Sequence, residues 1–64
     1  MVVFTKQEAD AIVQRMVGSQ EFALRWWDSP NYAFGLETPE NTWREDPNQV
    51  LQYLCFHAEK NGVL

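Results

Sequence analysis

Apolar residues recur along this chain with the period of a helix, in blocks separated by recognisable stops. Ala9, Ile12, Val13, Met16 and Val17 fall at helical spacing on one face, while Glu8, Gln14 and Arg15 mark the other. Thr5 and Glu8 have the spacing of a capping box, in which the two side chains satisfy backbone N–H groups that the first helical turn leaves free. This pattern predicts a helix over 6–17, stopped at Gly18. Ser19 can cap a second helix, and Glu21 puts a negative charge in the first turn, where the macrodipole favours it. Phe22, Ala23, Trp26 and Trp27 then form an i, i+1, i+4, i+5 stripe. Ser29-Pro30-Asn31 ends that helix, because the residue before a proline is pushed out of helical geometry.

Gly35 suits a backbone position with positive φ. Thr38-Pro39 is the next start, with Thr as N-cap and Pro at the first helical position. The third helix is short, from Pro39 to about Glu45, and Trp43 is its only large apolar anchor. Asp46-Pro47-Asn48-Gln49 repeats the start signal, with Gln49 at the capping-box position. A last helix runs to about Lys60, where Asn61-Gly62 supplies a stop. No alternating strand pattern, repeat or linker competes with this reading. The expected fold is an all-α compact bundle of three to four short helices, forming one domain over residues 1–64.

The last helix has too much apolar surface for one core. Val50, Leu51, Leu54 and Ala58 make one face, and Tyr53, Phe56 and His57 carry the belt further round. Either Tyr53 and Phe56 lie half exposed, or the belt is buried against something else. Length points the same way. A chain of 64 residues buries only about 60% of the surface its unfolded form exposes, and small domains are usually supported by disulfides, a metal or oligomerisation. The single cysteine, Cys55, excludes an internal disulfide, and one Cys with one His cannot build a structural zinc site. Association with a second copy or another protein is the remaining support, and a homodimer using Tyr53 and Phe56 is expected.

Charge narrows the partners. Five basic residues face nine acidic ones, for a net charge of −4, and Lys6, Arg15, Arg25, Arg44 and Lys60 are scattered. Without a Lys/Arg stripe to neutralise phosphates, direct nucleic-acid binding is not expected. Met1-Val2-Val3-Phe4 is far too short for a signal or transmembrane run, and the lone cysteine suits a reducing compartment, so a cytoplasmic, membrane-free location is expected.

Catalytic constellations are thin. Cys55 and His57 lie two positions apart on a helix, so their side chains diverge by about 200° and cannot act as a pair. They read as a buried apolar Cys and a surface or partner-contacting His. Glu37 with Glu40, and Glu45 with Asp46, sit at helix starts, where acids stabilise the dipole. No phosphate-cradling glycine loop is present. Neither catalysis, nor a cofactor, nor a metal is expected.

Trp26 and Trp27 point about 100° apart, so one can anchor the core while the other sits nearer the surface. Trp43 is a candidate lid on that core. Either all three tryptophans hold the fold together, or one is an interface hot spot, a role in which tryptophan is enriched. Asn31 reads as a turn residue. Val63 and Leu64 form an apolar tail beyond the helix stop, either as a frayed end or as a peptide that docks into a partner.

Taken in order, several of these residues resemble a known family. Gly18-Ser19, Ala23, the Trp26-Trp27 pair (Trp-Leu in the family), Pro30-Asn31, Ala33-Phe34-Gly35, Thr38-Pro39, Val50, Leu54 and Gly62-Val63 resemble, colinearly, the toxin-binding domain of the MbcA/ParS/Xre antitoxins. The likeness runs from about Ile12 to Leu64, about four-fifths of the chain. It implies a small helical domain that binds and silences a partner, typically a RES-domain toxin that consumes NAD, and that also self-associates. The family's toxin-facing C-terminal part maps onto Lys60 to Leu64. Trp26, Trp27, Pro30, Asn31, Gly35, Thr38 and Pro39 become a scaffold corner. Partner contacts are expected from Tyr53, Phe56, His57, Lys60, Gly62, Val63 and Leu64.

The chain departs from the family in two ways. It begins almost at the toxin-binding domain, without the usual helix-turn-helix region, so operon autoregulation by DNA binding is not carried over. The family's frequent Gly-Gly is Gly35-Leu36 here, and Asn41 and Thr42 stand where leucines follow Thr-Pro. An alternative function remains open: a phage or mobile-element regulator that reuses this domain to block a host protein.

Overall fold

The computed structural model describes residues 5–60, the side chain of Glu59 excepted. The expected Asn61-Gly62 stop and the Gly62-Val63-Leu64 tail lie outside those residues. Four α-helices follow one another: α1 Lys6–Val17, α2 Gln20–Asp28, α3 Pro39–Glu45 and α4 Pro47–Lys60, with a 3-10 turn at Tyr32–Phe34 before α3. The fold is all-α, with no strand among the described residues. No helix there is long and apolar enough to cross a membrane.

The caps account for the boundaries. Thr5 Oγ1 accepts from the Glu8 N–H at 3.1 Å while Glu8 Oε1 accepts from the Thr5 N–H at 3.1 Å, closing the capping box. Gly18, at φ 96°, ends α1 in the left-handed region, and its N–H reaches the Gln14 carbonyl. Ser19 and Thr38 cap α2 and α3 in the same manner, each accepting with its hydroxyl from the N–H three residues on. Only one residue separates α3 from α4. The Asp46 N–H donates to the Thr42 carbonyl at 2.8 Å, and its carboxylate accepts from the Asn48 N–H at 3.1 Å. The start of α4 is therefore an Asp46 cap on Asn48, and the Gln49 N–H bonds the Asp46 carbonyl instead.

Three helices and the 3-10 turn build a shared core: Ala9, Ile12 and Val13 from α1, Ala23 and Trp27 from α2, Phe34 from the turn, and Val50, Leu54 and Ala58 from α4, with Trp43 of α3 packed against it. Pro39 is also fully buried, so it both presets the first turn of α3 and fills space. Thr42 is the buried polar exception, and its hydroxyl donates to the Thr38 carbonyl at 3.0 Å, which removes the cost of an unpaired group.

The expected α2 stripe narrows. Ala23 and Trp27, one turn apart, face the core, whereas Phe22 is 56% exposed. Its ring lies instead beside the Arg25 guanidinium, 5.8 Å from the ring centroid. A helix resting on one core cannot bury four positions spanning i to i+5, and the outermost is left in water.

Candidate protein-interaction surface

The turn between α2 and α3 carries the aromatic surface, and Asn31 ties it shut. The Asn31 side-chain oxygen accepts from the Ala33 N–H at 2.9 Å. Its carbonyl accepts from the Phe34 and Leu36 N–H groups, and its own N–H donates to the Glu37 carbonyl, each at 3.0 Å. The chain thus closes a loop from 31 to 37 around one residue. Gly35 takes φ 65° and Leu36 takes φ 70°, two consecutive left-handed residues. The first was legible from the glycine. The second falls on a leucine, a residue that pays a steric cost in this region.

Phe34, held by this loop, starts a chain of ring contacts. Its ring meets Tyr53 at 5.3 Å and Trp26 at 6.4 Å, while Trp26 also meets Tyr53 at 6.0 Å. Tyr53 stacks on His57 at 4.2 Å, and His57 takes the edge of Phe56 at 5.3 Å. Exposure rises along this path. Phe34 is buried, Tyr53 and His57 are partly exposed, and Phe56 is 63% exposed. Gln49, Gln52, Tyr53 and Phe56 recur at i, i+3, i+4 and i+7, a stripe without formal charge. An open groove lined by Ala33, Phe34, Gly35, Gln49, Gln52 and Tyr53 includes part of it, and Tyr32, next in the chain to Ala33, is 90% exposed.

Of the expected contact residues, Tyr53, Phe56 and His57 form this one cluster, and Lys60 is exposed at the end of α4. Gly62, Val63 and Leu64 lie outside the described residues. Cys55 corrects the sequence expectation: it is exposed rather than buried. The core side of α4 is taken by Val50, Leu54 and Ala58, one turn apart, and Cys55 lies about 100° round from Leu54.

The corner residues divide by depth. Trp27 is 5% exposed, and its indole N–H donates to Asp10 Oδ1 at 2.7 Å. Its ring takes Trp26 edge-on at 5.1 Å and Trp43 at 6.1 Å. The Lys6 ammonium lies 5.1 Å from its centroid and pairs with Glu40. Trp27 thereby joins α1, α2 and α3. Asp10 and Lys6 escaped sequence reasoning; the only available signal was their i, i+4 spacing beside the apolar face of α1.

No family model, curated protein or solved structure matches this chain. The function therefore has to be read from the surface itself. Among the described residues, no group of three or more His, Cys, Asp or Glu side chains is placed to hold a metal ion. α4 presents planar rings at the edge of a packed stack, with the primary amides of Gln49 and Gln52 beside them. Aromatic side chains on a fixed helix bring large contact area at low ordering cost, the composition found at the centres of protein interfaces.

Proposed function

We propose that this chain is a non-enzymatic, antitoxin-like domain that binds a partner protein and silences it by covering its working surface. The observation that carries the reading is Phe56, 63% exposed at the end of a ring stack that leads back to the core. A rigidly backed aromatic left in water is suited to a partner's pocket, because little freedom remains to be lost on binding. The sequence resemblance supports a toxin of the RES type as that partner, with the Gly62-Val63-Leu64 tail adding contacts next to Lys60.

In the absence of a partner, the same face pairs two copies as a homodimer. Antiparallel packing of two α4 helices about a two-fold axis near Tyr53 would bring Lys60 of one copy towards Asp46 of the other. Opposite charges and opposed helix dipoles both favour that arrangement. The net charge of −4 favours a second reading, in which the domain serves a phage or mobile element by blocking a basic surface on a host protein.

Affinity capture from a lysate of the source cells, with the captured protein identified and assayed, tests the proposal. The full chain is expected to retain one protein stoichiometrically and to suppress its activity, while the Phe56→Ser variant retains none. Equal capture and inhibition by the variant would remove α4 from the assignment. Deleting residues 62–64 tests the tail separately, and inhibition unchanged by the deletion would remove its role. The identity of the captured protein, toxin or host regulator, decides between the two readings.

A further inference from the structure

Beside Trp27 there is a second groove, which shares no lining residue with the α4 face. It is open and holds about 320 Å³. Lys6, Gln7 and Asp10 of α1, Leu24, Trp27 and Asp28 of α2, and Glu40 of α3 line it. Three carboxylates against one ammonium leave its formal charge at −2. Leu24 is 61% exposed, an apolar wall with nothing packed over it.

The carboxylates are not equivalent. Asp10 accepts from the Trp27 indole and from the Gln14 amide, at 2.7 and 2.8 Å. Glu40 pairs with Lys6 and, at 3.8 Å, with Arg44. The exposed Asp28 carboxylate has no ion-pair or hydrogen-bond partner among the described residues. It is also the last residue of α2, where the macrodipole disfavours a negative charge. Helix stability gives no reason for an acid there. The groove already shows what it can hold, since the chain's own Lys6 lies in it with the ammonium near the indole and against Glu40.

We propose that this groove binds an arginine side chain presented by a protein partner, with Asp28 as counter-ion and Leu24 packed along the aliphatic stem. Arginine fits better than lysine. Lys6 occupies the position against Glu40, and a planar guanidinium can donate two parallel hydrogen bonds to the free Asp28 carboxylate. The inference rests on the reading of the chain as a protein-binding domain only for what would present the arginine. The groove's preference is a property of the chain alone and can be tested without a partner.

The test is NMR titration of the full chain with a blocked Ala-Arg-Ala peptide, following the Trp27 indole N–H, with a citrulline peptide as the uncharged match. A saturable shift is expected with arginine. Binding should be weakened about threefold or more by citrulline and by Asp28→Asn, a size typical of one exposed ion pair. Asp28→Asn removes an acid from a helix C-terminus, so the fold is not put at risk. Glu45→Asn, an equal change of charge on α3, is expected to leave the affinity unchanged. The proposal is overturned by no shift at Trp27, by equal affinity for the two peptides, or by equal weakening in both variants, which would indicate general attraction to an acidic chain. None of these outcomes bears on capture through α4.

Discussion

Trp26 and Trp27 are neighbours in sequence, yet they belong to two regions built on opposite principles. Around Trp27, α1, α2 and α3 meet with polar groups matched: the indole finds Asp10, Asp10 finds Gln14, and Lys6 finds Glu40. Around Trp26 the rings lead outward through the half-buried Tyr53 and His57 to Phe56, which is left exposed. The first region holds the fold, and the second spends the rigidity so gained on surface. In so small a domain one pair of adjacent residues begins both.

If that division is right, substitutions should separate cleanly by region. The largest effect is expected from Trp27→Ala, which removes a buried aromatic at about 3–5 kcal/mol. A domain of this length is stable by only about 3–10 kcal/mol, so thermal melting followed by circular dichroism should show a Tm lowered by at least about 10 °C. A cooperative thermal transition near the wild-type Tm would break the comparison. Asp10→Ala strands the indole N–H and is expected to cost about 1–3 kcal/mol in urea unfolding, whereas Asp10→Asn, which keeps an acceptor, should cost clearly less. Equal losses would mean that the carboxylate's charge matters rather than the bond.

Leu36→Gly is expected to move stability the other way. Relief of the left-handed leucine is worth about 1–2 kcal/mol, and glycine's greater freedom in the unfolded chain returns about 0.5–1 kcal/mol of that. The net gain should appear as a modest rise in Tm, and a fall would show that Leu36 packs against something the loop needs. Phe56→Ala should give the smallest change in stability, within about 0.5 kcal/mol, as for most exposed positions. Its signature is elsewhere: sedimentation should report a monomer for the variant, where the full chain is expected to self-associate. Destabilisation comparable to Asp10→Ala would place Phe56 with the scaffold instead.

The local signals were the legible ones. Thr5 with Glu8, Gly18, Ser19, Thr38-Pro39 and Asp46-Pro47 fix helix ends through contacts within a few residues, so the sequence order carries them directly. The α4 stripe of Val50, Leu54 and Ala58 could likewise be read from periodicity alone. What escaped depends on helices meeting. The Asp10–Trp27 bond spans 17 residues, and nothing local sets its register. The exposure of Phe22 and Cys55 follows from how far each helix is rolled on the core. Leu36 shows a third kind of blindness, since its left-handed geometry is imposed by the Asn31 ties and contradicts its own preference.

Asp46 closes α3 with its N–H and opens α4 with its carboxylate, which has a consequence for how such a chain can change over generations. Substitutions on the outer side of α4 alter the surface one residue at a time. A single inserted residue at the joint, in contrast, would advance the whole helix by about 100°, turning Tyr53 into the buried place of Leu54 and Leu54 out to the exposed place of Cys55 at once. The length of this junction should therefore be far less free to drift than the residues it displays.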